Sequence, residues 1–226
     1  MFMKECKTIQ KVIFILAVIC VSITQSWADS WKEIFFADPT IFVENGKYYL
    51  TGTRNREPQG FAILESTDLK HWTVPNGKDL QLILRKGDQA FGEKGFWAPQ
   101  YFKDKRTYYF TYTANEQTVI ASSKSVFGPF RQKEVKPIDA SAKNIDSFLF
   151  KDDDGKYYLY HVRFNKGNYL WVAEFDIKKG SIKPETLKQC MDCTEPWEKT
   201  PNYKSAPVME GPTVMKWDGV YYLFYS

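Results

Sequence analysis

Cysteine, strong net charge and long apolar runs are all scarce in this chain, and each scarcity excludes something. Only four cysteines occur in 226 residues, and Cys6 and Cys20 fall within the first 28. Cys190 and Cys193 remain, as Cys-Met-Asp-Cys. No second cysteine pair and no histidine pair completes four ligands, so a zinc site is not indicated. In an oxidising compartment the pair reads as a small loop disulfide or two free thiols. The formal net charge is +4, of which Lys4, Lys7 and Lys11 against Glu5 supply +2 in residues 1–28, leaving +2. Nucleic-acid binding needs a strongly basic face, and this is none. The one long apolar run, from Val12 to Val21, is short for a membrane span, and no later stretch qualifies.

That run has its own meaning. A basic start, the apolar stretch and then Ser26-Trp27-Ala28 have the layout of a signal peptide cleaved before Asp29. Residues 1–28 are therefore assigned to a signal peptide and 29–226 to the mature domain, secreted or periplasmic. A lipoprotein signal ending at Cys20 is the competing reading. Ile19, where such signals carry a small residue, speaks against it.

Aromatics are what the chain has in excess: 17%, with 14 Tyr, 17 Phe and 7 Trp. They suit half-buried pleated surfaces, so composition leans towards β-structure. They also fall into a pattern. Four segments align, opening at Asp38-Pro39-Thr40, Ala98-Pro99-Gln100, Asp146-Ser147-Phe148 and Gly211-Pro212-Thr213. Each is an apolar run, a polar turn, and a second run opened by paired tyrosines at 49, 109, 158 and 222, spaced 60, 49 and 64 apart. Asn45-Gly46, Asp154-Gly155 and Asp218-Gly219 tolerate the positive φ of tight hairpins, whereas Lys105-Arg106 suggests a looser turn. Further strand-like runs follow, such as 60–66, 118–123 and 169–175, giving three or four strands per module.

Periods near 50 with four strands suit the blades of a β-propeller. A two-sheet sandwich would not explain why one hairpin recurs with one aromatic pair. The fourth hairpin reaches Tyr225-Ser226 after two strands, so the expectation is about three and a half blades of a longer protein.

In a propeller the first strand of each blade lines a central channel, so equivalent positions converge however distant in sequence. Those positions hold Asp38, Ala98, Asp146, and Gly211 preceded by Glu210. A lone Asp would be a solvated turn residue; three acids beside apolar strand starts suggest a shared funnel. Asp152, Asp153 and Asp154 lie in a turn and read as a solvated run. His161 and Arg163 share one parity of a strand, with an outward polar face the simpler reading. Ser66 to Trp72 reads as structural, and the long connection 184–207 as a loop at the rim of the funnel.

Ala37-Asp38-Pro39-Thr40, Phe96-Trp97-Ala98-Pro99, Asn144-Ile145-Asp146-Ser147 and Met209-Glu210-Gly211-Pro212 resemble, in order, motifs of glycoside hydrolase family 43. The resemblance covers about residues 34–226. It implies an all-β, five-bladed propeller, incomplete here, acting on arabinose- or xylose-containing plant polysaccharides or oligosaccharides as an arabinofuranosidase or xylosidase. It also implies roles: Asp38 as general base, Glu210 as general acid, and Asp146 as the residue that tunes and orients the acid. Inversion needs a carboxylate and a carboxylic acid about 6.5–9.5 Å apart, with a water between them and the sugar. Trp97 and Phe96 are the candidates for a hydrophobic wall against the sugar, though core packing competes for both, more strongly for Phe96. No cofactor is required; a central calcium ion is compatible with a complete propeller. The partner implied is a carbohydrate substrate. A non-catalytic sugar-binding propeller and a retaining propeller glycosidase, with carboxylates about 5–5.5 Å apart, are the alternatives.

Overall fold

The computed structural model describes residues 34–77, 79–199 and 206–226. The expected signal peptide lies outside them, as does part of the connection before Glu210. The strands in chain order are β1 (Ala37–Glu44), β2 (Lys47–Thr53), β3 (Gly60–Ala62), β4 (Leu64–Ser66), β5 (Leu82–Arg85), β6 (Trp97–Asp104), β7 (Thr107–Ala114), β8 (Gln117–Ser123), β9 (Asn144–Lys151), β10 (Tyr157–Phe164), β11 (Asn168–Asp176), β12 (Ser181–Ile182), β13 (Lys188–Gln189), β14 (Thr213–Trp217) and β15 (Val220–Phe224). All the helical turns among the described residues are single 3-10 turns.

Of the five antiparallel sheets among the described residues, four follow one another in chain order: β1-β2-β4, β6-β7-β8, β9-β10-β11-β12 with β13 also on β11, and the hairpin β14-β15. Their first strands are neighbours in space, β1 beside β6, β6 beside β9 and β9 beside β14. This is a partial β-propeller: three blades and the inner hairpin of a fourth around one channel. The run 60–66 is split, with β3 pairing β5 and β4 pairing β2. Lys105-Arg106 departs from expectation in the other direction. Asp104 pairs directly with Thr107, so this turn has two residues like Asn45-Gly46, with Lys105 at φ 53°.

The recurring tyrosines have a physical role between blades. Lys103, Lys151 and Lys216 stand opposite Tyr108, Tyr157 and Tyr221 in register. Each ammonium lies over the facing ring, at 4.8, 5.2 and 4.6 Å from its centroid, a cation–π arrangement. Each lysine also binds an acid from the preceding blade. Lys103 and Tyr108 donate to Glu44. Lys151 donates to Asp104 at 2.7 Å. Lys216 and Tyr221 donate to Asp152 at 2.9 and 2.6 Å. Asp152 is therefore an inter-blade partner rather than a solvated turn residue, and these donors hold its pKa down to about 2.

The core lies between blades. Phe61, Phe96, Phe110, Tyr112 and Phe130 form the largest cluster, all 3% exposed or less. Phe61 meets Phe96, Phe110 and Tyr112 edge-on, with centroids 5.1–6.2 Å apart, the geometry that ring quadrupoles favour. Leu149, Leu159 and Ala173 fill the next junction, and Val162, Leu170 and Met209 the one before the last hairpin. Trp72 is buried against Leu50 and Leu64.

Candidate active site

Each inner strand carries the same irregularity. Ala37 pairs Thr53 and Thr40 pairs Thr51; Trp97 pairs Thr113 and Gln100 pairs Thr111. Ile145 pairs Val162 and Phe148 pairs Tyr160. Glu210 exchanges backbone hydrogen bonds with Ser226, and Thr213 pairs Phe224. In every case three steps on the inner strand face two on its partner, a β-bulge, which bends a strand and re-aims its side chains. The residue at the bend takes a left-handed backbone: Asp38 at φ 47°, Ala98 at 45°, Asp146 at 52° and Gly211 at 61°. Such φ is disfavoured outside glycine, with Asp among the better-tolerated exceptions, and concentrates where geometry serves function.

The bulges line one cavity of about 180 Å³. Its walls are four equivalent triplets, 38–40, 98–100, 146–148 and 211–213. Asp38 and Asp146 thus share a channel although 108 residues separate them. Glu210 and Trp97 occupy a different repeat position from these two acids. They stand one residue earlier, equivalent to each other and to Ala37 and Ile145.

Asp146 is the group whose chemistry the channel changes most. Burial, then the charges of Glu210 and, more weakly, Asp38, push its pKa up to about 6, while the Gly211 N–H donating to Oδ2 at 3.2 Å opposes this. Desolvation and like charge both disfavour the carboxylate form. Asp146 therefore senses the other two acids.

The blade junctions position them. Thr53 Oγ1 donates to Asp38 Oδ2 at 2.5 Å and accepts from the Ala98 N–H at 2.9 Å. At the next junction Thr113 Oγ1 accepts from the Asp146 N–H at 3.0 Å. The third has Val162 where the threonines stood, and there the Asp146 carboxylate itself takes the Gly211 N–H.

Glu210 has a partner that sequence reasoning missed. Asn168 Nδ2 donates to its Oε1 at 2.5 Å. The backbone of Asn168 also bonds Pro207 O and the Met209 N–H, at 2.9 and 3.0 Å. Asn168 opens β11 after the turn Asn165-Lys166-Gly167, and nothing local in that turn points to residue 210.

Trp97 is 37% exposed, with Gly95 packed under its indole. Phe96 is a correction: proposed with Trp97 as sugar-facing, it is 3% exposed and stacked on Tyr112 at 5.8 Å. Alternation along the chain turns it away from Trp97 and into the core. His161, opposite the third bulge, is also interior, at 1% exposure, rather than on a polar outer face. Burial lowers its pKa to about 4. Arg163 pairs with Asp139 at 3.4 Å and lies over Trp171.

No group of three His, Cys, Asp or Glu among the described residues is arranged to hold a metal. His71 binds Asp68 on the surface and His161 is buried in a blade. Cys190 and Cys193 are free thiols, half-buried against the Val162–Leu170–Met209 cluster. Among the described residues no helix is long and apolar enough to cross a membrane.

A partial propeller with acidic side chains gathered at the bulges of its inner strands defines the class, a β-propeller with an acidic channel. Within it the chain belongs to glycosyl hydrolases family 43, whose model matches residues 32–226. It is similar to the crystal structure of an endo-1,4-beta-xylanase from Bacteroides thetaiotaomicron, 41% identical with a TM-score of 0.75, over 84% of this chain and 62% of that one. It is 28% identical to a xylosidase/arabinosidase of Butyrivibrio fibrisolvens, over 85% of this chain and 37% of the relative. It is likewise 28% identical to the extracellular endo-alpha-(1->5)-L-arabinanase 1 of Bacillus subtilis, over 84% of this chain and 58% of the relative. The chain thus spans between about a third and three fifths of the length of these proteins.

Proposed function

We propose that this chain carries the catalytic centre of an exported glycoside hydrolase that cleaves arabinose- or xylose-containing plant polysaccharides or oligosaccharides with inversion at the anomeric carbon. The observation that carries the reading is geometric: Asp38 and Asp146 line one channel, and Glu210 stands directly before Gly211, which lines it too. A sugar-binding module has no use for three acids gathered at one channel. The xylosidase, arabinosidase, arabinanase and xylanase activities named for the relatives support the substrate class, and the extracellular arabinanase supports export.

Asp38, oriented by Thr53, takes a proton from water as the water oxygen attacks the anomeric carbon. The bond to the leaving oxygen breaks, and Glu210 gives that oxygen its proton. The products are a hemiacetal of opposite configuration and a free hydroxyl, with Asp38 protonated and Glu210 ionised until solvent exchange resets them. Asp146 stands between the two and orients the acid by holding the N–H of Gly211, the residue next to it. Trp97 gives the sugar an apolar face.

The roles separate by leaving group. Asp38→Asn removes the base and should abolish hydrolysis of activated aryl glycosides and natural linkages alike. Glu210→Gln should spare aryl glycosides, whose leaving groups need little protonation, far more than natural linkages. NMR of the first-formed anomer reads the stereochemistry. Retained configuration, or indifference to both substitutions, would refute the assignment.

A further inference from the structure

A second cavity lies away from the channel, on the outer side of the junction between blades 2 and 3. It measures about 490 Å³, within the span of about 300–1,000 Å³ usual for small-molecule sites. Its walls come from β7 and β8, the segment 131–136, and the turn joining β11 to β12. The apolar part is Tyr109, Ile120 and Ile177. Around them stand Arg131, Lys133, Lys136, Lys178 and Lys179, with Glu134 the one acid in the lining.

The cations are not spent on holding the fold. Lys136 pairs with Glu134 at 2.5 Å, and Lys179 reaches Asp176 only at 3.9 Å. Arg131, Lys133 and Lys178 form no ion pair among the described residues, although Glu134 feels the charge of Lys133 and Asp176 that of Lys178. In contrast, Lys103, Lys151 and Lys216 each hold an acid of the preceding blade. The mature sequence carries only +2 overall, from +4 less the +2 of residues 1–28, so like charge facing itself across one cleft is a local concentration rather than a general excess. Such a field favours an anion, and the half-exposed Tyr109 ring beside it suits a sugar face.

We infer that this cleft binds carboxylated sugars, the uronic acid substituents of a plant polysaccharide, and holds the chain while the channel acts on it. The inference rests on the polysaccharide reading above and adds to it a second, non-catalytic contact selective for acidic chains. Tethering at two sites raises the effective concentration of one at the other.

The test uses the Glu210→Gln protein, which separates binding from turnover. Calorimetry compares a xylo-oligosaccharide bearing one glucuronic acid with the unsubstituted oligosaccharide of equal length. The acidic ligand should bind at least fivefold more tightly at low salt, and the preference should shrink at higher salt. Adding Lys133→Ala with Lys178→Ala should abolish the preference and leave neutral-ligand binding as it was. In the otherwise native protein the same pair should leave turnover of a small aryl glycoside unchanged. Equal affinity for both ligands, a preference that survives the double substitution, or equally tight binding of inorganic sulfate would overturn the inference. Failure of hydrolysis by the native protein would instead strike the catalytic reading, since the calorimetry needs no turnover.

Discussion

The side-chain amide of Asn168 donates to Oε1 of Glu210 at 2.5 Å while its backbone brackets Val208, bonding the Pro207 carbonyl and the Met209 N–H. The hairpin of blade 3 thereby clamps the segment that leads into the fourth inner strand. Gly167 makes the approach possible: a Cβ there would lie 2.8 Å from Pro207 Cδ and 2.9 Å from its carbonyl oxygen.

Asn168 is accordingly a positioning residue. Asn168→Ala and Asn168→Asp both remove the donor and should lower kcat by about 10–100-fold, the scale of a small misplacement of a reacting group, with KM changed less than twofold. The loss should be larger for natural linkages than for aryl glycosides, because the acid role proposed for Glu210 weighs more there. A uniform loss across leaving groups, tracking thermal stability, would mean that Asn168 serves only the fold.

Thr53 joins two blades through one hydroxyl, donating to Asp38 and accepting from the Ala98 N–H. Thr53→Val keeps the shape and strands that partly buried amide, at a cost of about 1–3 kcal/mol. Activity should fall as well, since Asp38 loses its orienting donor. Thr53→Ser should restore both. Urea denaturation alongside kinetics checks the pair of effects.

Asp146 makes stability depend on pH with an unusual sign. Its pKa is raised from 3.8 to about 6 in the fold, so between those values the folded chain binds the extra proton. Stability from this group is fully present below pH 4 and is lost as pH rises through 6. The loss is at most about 3 kcal/mol, from roughly two pKa units at about 1.36 kcal/mol each. Asp146→Asn should therefore be more stable than the native protein at pH 8 and no different from it, through this group, at pH 3. Equal denaturation midpoints at pH 8 would contradict the burial of the charge.

His161 works in the opposite direction. Its pKa is lowered from 6.5 to about 4, with burial the main cause, then the Leu159 carbonyl opposing, and Arg163 and Asp139 weaker influences. Its contribution is fully present above pH 6.5 and is lost as pH falls towards 4, by about 3 kcal/mol. Between pH 4 and 6 the two groups nearly cancel. Asp146→Asn should thus expose a stability that declines on acidification. His161→Phe, which places an aromatic where blade 2 has Tyr112, should expose one that improves. Parallel pH profiles for the two variants would refute this pairing.

Much of the architecture was legible because it is repetitive. The aromatic pairs, the Asn-Gly and Asp-Gly turns and the strand openings at Asp38, Ala98, Asp146 and Gly211 all recur. Recurrence of a local rule is visible one segment at a time. Lys105-Arg106 was less legible: its residues lack glycine, yet Lys105 takes the positive φ that a two-residue turn requires. Phe96 was ambiguous beside Trp97, because adjacent residues on an extended strand face opposite ways and the sequence does not say which way is in. Asp152 looked like one of three turn acids until Lys216 and Tyr221 arrived from 64 and 69 residues away.

What the amino-acid order alone determined is the module: a hairpin of set period, its turn chemistry, and an acid at or beside the opening of three inner strands. Those are consequences of backbone preference and side-chain alternation, which act over a few residues. The tertiary structure alone decided the partners of those acids, including the hydroxyl of Thr53, the amide of Asn168 and the N–H of Gly211. It also decided that Asp146 is the carboxylate held reluctant to ionise. Hydrogen bonding and desolvation depend on atoms within a few ångströms, and only packing blade against blade brings residues so distant in sequence that close.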